Sequence, residues 1–215
     1  MNQESTPVRK SLKAPRAAAI AGIIFAVLLI TSQLLIRISL PDNTLGPATD
    51  VLNQSKTISI ALNLVPFAGI AFLWFIGVMR DRFGEQEDRF FATVFLGSGL
   101  LYVAMMFVFT ALAGGLVKAL GSEMENLVRS GTYALTRAEI YEVANVFGPR
   151  MAAVFMISTG TISLKIGIAP RWLAFLGYAL ALALLLGVGI IGWVPMVFPV
   201  WIFLMSVYIL VDNLR

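Results

Sequence analysis

Apolar residues along this chain come in long unbroken blocks, not in the short periodic stripes of a water-soluble core. Residues 17 to 36, AAAIAGIIFAVLLITSQLLI, carry no charge. About 20 such residues let an α-helix cross the hydrocarbon of a bilayer. Five further blocks follow at about 57–79, 90–115, 150–168, 172–192 and 195–211. From Trp172 to Val211 there is no charge over 40 residues, room for two crossings, and Gly192-Trp193-Val194-Pro195 marks the turn between them. The pattern predicts an all-α, polytopic integral membrane bundle of six transmembrane helices. Residues 17–215 form one domain behind a basic tail, residues 1–16, with Arg9, Lys10, Lys13 and Arg16.

The one long connection, residues 116 to 149, is expected to hold structure of its own. The third block ends at the helix-weakening Ala113-Gly114-Gly115. Ser122-x-x-Glu125 and Thr136-x-x-Glu139 both read as capping boxes. After Thr136, the residues Ile140, Val143, Ala144 and Phe147 fall on one helical stripe, with Arg137, Glu142 and Asn145 facing water. A short amphipathic helix lying on the membrane or capping the bundle is predicted, with Gly148-Pro149 turning the chain into the fourth span.

Composition agrees with a membrane setting. The 215 residues are 59% hydrophobic and only 13% charged, against about a quarter charged in soluble domains. The net charge of +4 fits a lysine and arginine bias between loops, not nucleic-acid binding. With the N-terminus placed inside, ten of the 16 basic residues lie on the cytoplasmic side and six outside, while the acidic residues divide evenly. Both termini are therefore expected in the cytoplasm, with the protein in a bacterial plasma membrane. Trp74, Trp172 and Trp193 fall near span ends, as an aromatic belt would place them.

The most charged stretch is GVMRDRFGEQEDRFF, residues 77 to 91, in the loop between the second and third spans. Its Gly77-x-x-x-Asp81-Arg82-x-Gly84 resembles the loop signature of major facilitator transporters, which sits between the same two spans. That resemblance implies a cytoplasmic charge clasp formed by Asp81, Arg82 and Gly84. The family continues with basic residues, where this chain has Glu85, Gln86 and Glu87. The other reading is a hydrated loop with local charge pairing. More broadly, the six-block layout, the Ala169-Pro170-Arg171-Trp172-Leu173-Ala174 turn and FIGVMRDRFGEQEDRFFATVFLGSGLL resemble small six-span bacterial membrane proteins of actinobacterial type. No catalytic residues come with that resemblance.

Polar groups inside hydrocarbon are costly, so they are the places to look for function. Gln33, Arg37, Asn63, Thr110, Ser158 and Thr161 are the candidates for a polar pocket between the first, second and fourth spans. Pro66 would free a backbone carbonyl near Asn63. The competing reading is helix association through small and hydroxylated residues. Cysteine and histidine are absent, and no proposed span holds Asp or Glu. The usual nucleophile–base, metal and carboxylate constellations therefore have no material in the core. No enzyme activity, no metal and no cofactor is expected. The expected partners are membrane lipids and a second membrane protein or another copy of this chain, and no nucleic acid. A non-enzymatic association, scaffold or lipid-binding subunit is the first functional reading. A small oligomeric transporter or channel-like protein is the second.

Overall fold

A computed structural model describes residues 14–40, 47–83, 89–187 and 193–212. The described chain is helical: α1 (Ala14–Ser39), α2 (Ala48–Asn53), α3 (Ser55–Phe83), α4 (Arg89–Arg129), α5 (Thr132–Glu142), a π-helical turn (Val143–Phe147), α6 (Gly148–Ile166), α7 (Arg171–Leu186) and α8 (Val194–Asp212). No strand occurs among the described residues.

The long helices alternate in direction. Phe83 at the end of α3 stacks edge-on against Phe95 near the start of α4, 5.1 Å between ring centres. Ser32 near the end of α1 donates 2.7 Å to the carbonyl of Ala61 near the start of α3. We call the end of the bundle that holds the start of α1 proximal and the opposite end distal. Five helical stretches are long and apolar enough to cross a membrane: Arg16–Ser39, Ser55–Asp81, Arg89–Arg129, Thr132–Ile166 and Val194–Asp212. The sixth expected crossing is a shorter apolar helix. The 16 residues of α7 span about 24 Å, below the roughly 30 Å of bilayer hydrocarbon. Residues 188–192 of that expected span lie outside the described residues.

Two hydrophobic cores hold the bundle. The larger fills the proximal and middle parts with Phe25, Phe72, Phe95, Phe155 and Phe198. Phe72 lies 4.6 Å from Phe25, 5.1 Å from Phe155 and 5.5 Å from Phe198, and Tyr102 lies 4.7 Å from Phe198. Rings from α1, α3, α4, α6 and α8 thus meet in one cluster. Small residues let the helices close around it. A Cβ on Gly99 would stand 2.6 Å from Ile76 and 3.0 Å from Phe155. The smaller core is distal. There Leu40, Val51, Ile58, Leu116, Leu120 and Tyr133 join the end of α1 to α2, α3, α4 and α5.

That distal core accounts for the departures from the expected connection. Ala113-Gly114-Gly115 does not end α4, because Leu116, Val117 and Leu120 continue its buried face. Ser122 caps nothing: its hydroxyl donates back to the Ala119 carbonyl at 3.3 Å, and the helix kinks at Glu123 (φ −138°, ψ 31°). The next helix starts at Thr132 after Gly131 in the left-handed region, so Thr136 is interior and not a cap. Gly148-Pro149 does not turn the chain. Gly148 is helical (φ −55°, ψ −56°), and a 35-residue helical stretch runs from Thr132 to Ile166. Proline at position 149 has no N–H for the Asn145 carbonyl. The π turn absorbs that mismatch in place of a break. The break comes at Gly167, whose φ of 76° closes α6 ahead of Pro170.

Candidate functional site

Between the two cores the helices part around a cavity of about 190 Å³. Leu29, Val65, Ala152 and Leu184 line its deeper part, and Tyr102 and Phe198 of the ring cluster form its floor. Ile36, Leu40, Ile58 and Ile140 line its distal part. Every described wall residue is buried or half-buried. Polar groups are few: Ser32, Gln33, Arg37, Tyr102, Arg137, Tyr141 and Asn145. Among the described wall residues two are cationic and none is anionic.

Gln33, Asn145 and Arg37 each have a local reason to be where they are. Pro199 lies inside α8 and has no N–H to give the carbonyl four residues earlier, that of Pro195. The Gln33 amide supplies the missing donor, Nε2 to Pro195 O at 3.3 Å. Its Oε1 is left buried without a partner. Asn145 does similar work at the π turn, where backbone pairing is shifted by one residue. Its Nδ2 donates 3.1 Å to the Tyr141 carbonyl. Pro66 likewise has no N–H for the carbonyl of Leu62, which lines the cavity. Arg37, in the last turn of α1, sits over the Trp193 ring with Cζ 3.7 Å from the centroid. This cation–π contact fixes the guanidinium plane.

The six sequence candidates divide. Gln33 and Arg37 share the cavity wall. Asn63 is exposed on α3. Thr110 returns its hydroxyl to the Met106 carbonyl at 2.9 Å, and Ser158 to the Val154 carbonyl at 2.9 Å. Thr161 bonds the Ile157 carbonyl and the Tyr178 hydroxyl, each at 2.9 Å, tying α6 to α7. None of these four lines the cavity. In the proposed clasp, Asp81 is an exposed residue in the last turn of α3. The Arg82 side chain and Gly84 lie outside the described residues.

Arg137, Tyr141 and Asn145 join the wall although a uniform helical stripe turned Arg137 and Asn145 toward water. Arg137 lies three residues before Ile140 and so shares its face within α5; the π turn then inserts one residue into the helix and rotates the residues beyond it by about 100°. Phe147, expected on the bundle face, is accordingly 51% exposed. The signal for this was in the sequence: a proline at 149 with an asparagine four residues before it.

Among the described residues no group of three or more His, Cys, Asp or Glu could hold a metal ion. The cavity can hold an apolar body with a small number of polar contacts at one end. Comparison with family models, with curated proteins and with solved structures finds no match.

Proposed function

We propose that this chain is a non-enzymatic, six-span protein of a bacterial plasma membrane that holds a membrane lipid in its distal cavity. Both termini are cytoplasmic, so the cavity belongs to the outer leaflet. The observation that carries the reading is a largely apolar cavity set between two packed cores and stopped by rings. Ligand sites are typically concave and apolar with a few placed polar groups. The ring cluster of Phe25, Phe72, Tyr102, Phe155 and Phe198 argues against a transport path through the bundle. The bias of basic residues toward the proximal loops supports the orientation.

Lipid retention tests the function. Protein purified in mild detergent is extracted with organic solvent and its lipid counted per chain. About one lipid per chain is expected for the wild type and much less for Ala144→Phe, which fills the cavity from its half-buried wall. Equal retention by both would refute the reading. Orientation is tested separately, since the chain has no native cysteine. Ser122→Cys should react with an impermeant maleimide on intact cells, and Gln86→Cys only after permeabilisation. The reverse pattern would invert the topology.

A further inference from the structure

Asn63 stands where hydrocarbon gives an amide nothing to bond. The apolar stretch of α3, Ser55–Asp81, is about 40 Å long at the helical rise, against about 30 Å of bilayer hydrocarbon. It is centred on Ala68, and Asn63 lies only about 7.5 Å from that centre. The residue therefore falls inside the hydrocarbon. It is exposed on α3, and among the described residues its carboxamide makes no hydrogen bond. Thr110 and Ser158 in other spans return their hydroxyls to their own helices. Asn63 does not, and an amide left without a partner in hydrocarbon is costly.

The face that carries Asn63 has a regular spacing. Ile60, Asn63, Phe67, Ile70, Trp74 and Gly77 follow at alternating steps of three and four residues, and all six are exposed. Phe67 is 63% and Trp74 69% exposed. The cavity side of α3, with Ile58, Leu62 and Val65, lies roughly opposite at about 100° per residue. Steps of three and four make the seam of two helices that cross at about 20°, a common crossing in membranes. Gly77 has nothing within 4 Å of its would-be Cβ, which leaves room for another backbone to come close. What covers this seam must meet one amide among apolar side chains. Lipid chains offer an amide neither donor nor acceptor. Copies of one membrane protein lie in the bilayer with the same orientation, so a two-fold pair sets each seam residue opposite itself. A carboxamide both donates and accepts, so Asn63 of one copy satisfies Asn63 of the other at the same depth.

We infer that two copies of this chain pair along this face of α3, in the register set by Asn63. The pairing does not depend on what the cavity holds. The chain has no native cysteine, so one introduced cysteine reports the contact. Ile70 stands one heptad from Asn63 and faces itself across the pair, whereas Phe175 is exposed on α7. Purified full chains carrying Ile70→Cys or Phe175→Cys are reconstituted in phosphatidylcholine liposomes at increasing lipid dilution and oxidised briefly with copper phenanthroline. Ile70→Cys should give a covalent dimer at dilutions where Phe175→Cys gives none. Asn63→Leu in the Ile70→Cys chain should require about tenfold more protein per lipid for the same yield, the order expected for interhelical hydrogen bonds in a membrane. Asn63→Gln should recover part of it. Equal yields from Ile70→Cys and Phe175→Cys, or an Ile70→Cys yield that Asn63→Leu leaves unchanged, overturn the pairing. Cross-linking of Ile70→Cys to a different protein in native membranes, with none between purified chains, overturns it too and assigns the face to that protein.

Discussion

Below Tyr102 the bundle is filled by rings from five helices, whereas above it the same helices part around a cavity of about 190 Å³. The filled half relies on contact. Its helices approach at Gly22, Gly99 and Gly177, where a Cβ would run into Ser206, Ile76 and Trp201 respectively, and the Ser158 and Thr159 hydroxyls turn back onto their own helix. The open half relies on repair. Its prolines leave backbone carbonyls without donors, and the Gln33 amide donates to one of them. In hydrocarbon no water can do that work. The difference teaches that an intramembrane amide need not mark a substrate path. It can keep a proline-containing wall intact, and that wall is what bounds a cavity.

Two experiments sharpen this contrast, the larger effect first. Alanine at Gly99 must push into Ile76 and Phe155. Overpacking of a filled core costs about 1–3 kcal/mol, so Gly99→Ala should lower resistance to denaturation by that order. Gly114 in the distal half has nothing within 4 Å of its would-be Cβ. Gly114→Ala should be neutral or stabilising by up to about 1 kcal/mol, the gain in helix propensity. Matched melts of the two variants in one detergent would break the comparison if both lost stability equally.

The smaller effect comes from the repair itself. Gln33→Leu removes the donor to Pro195 and should cost about 1 kcal/mol. Pro199→Ala restores the backbone N–H. In that background Gln33→Leu should cost nothing, or help, because Oε1 is already buried and unpaired. A double-mutant cycle by denaturant titration measures the coupling. Additive effects would show that Gln33 does not serve Pro195.

Much of the fold was legible because span length is a one-dimensional property. α1, α3 and α8 cover the first, second and last uncharged blocks with a few residues to spare. The distal connection was less legible. Capping boxes and Gly-Pro pairs are local cues, and the burial of Leu116, Leu120, Tyr133 and Ile140 in a shared core outweighs them. Gln33 and Arg37 could be seen as polar residues in an apolar block. Arg137 could have been placed, since it stands three residues before Ile140 on one face of α5; Asn145 and Phe147 could not, because a 3.6-residue period was carried across a turn that does not keep it. Ser158, Thr110 and Thr161 look alike in sequence, and only packing decides that their hydroxyls return to the backbone.

The π turn at Val143–Phe147 also bears on how such a chain can change over time. It holds one residue more than an α-helix would use. Loss of Val146 or Phe147, the two residues of the turn that do not line the cavity, would let α5 and α6 fuse into one regular helix, swinging α5 by about 100° and carrying Arg137 off the cavity wall. The wall would be lost with every one of its side chains still encoded. In this region chain length, not residue identity, sets which groups face the cavity, so a one-residue deletion is a larger step than any point substitution there.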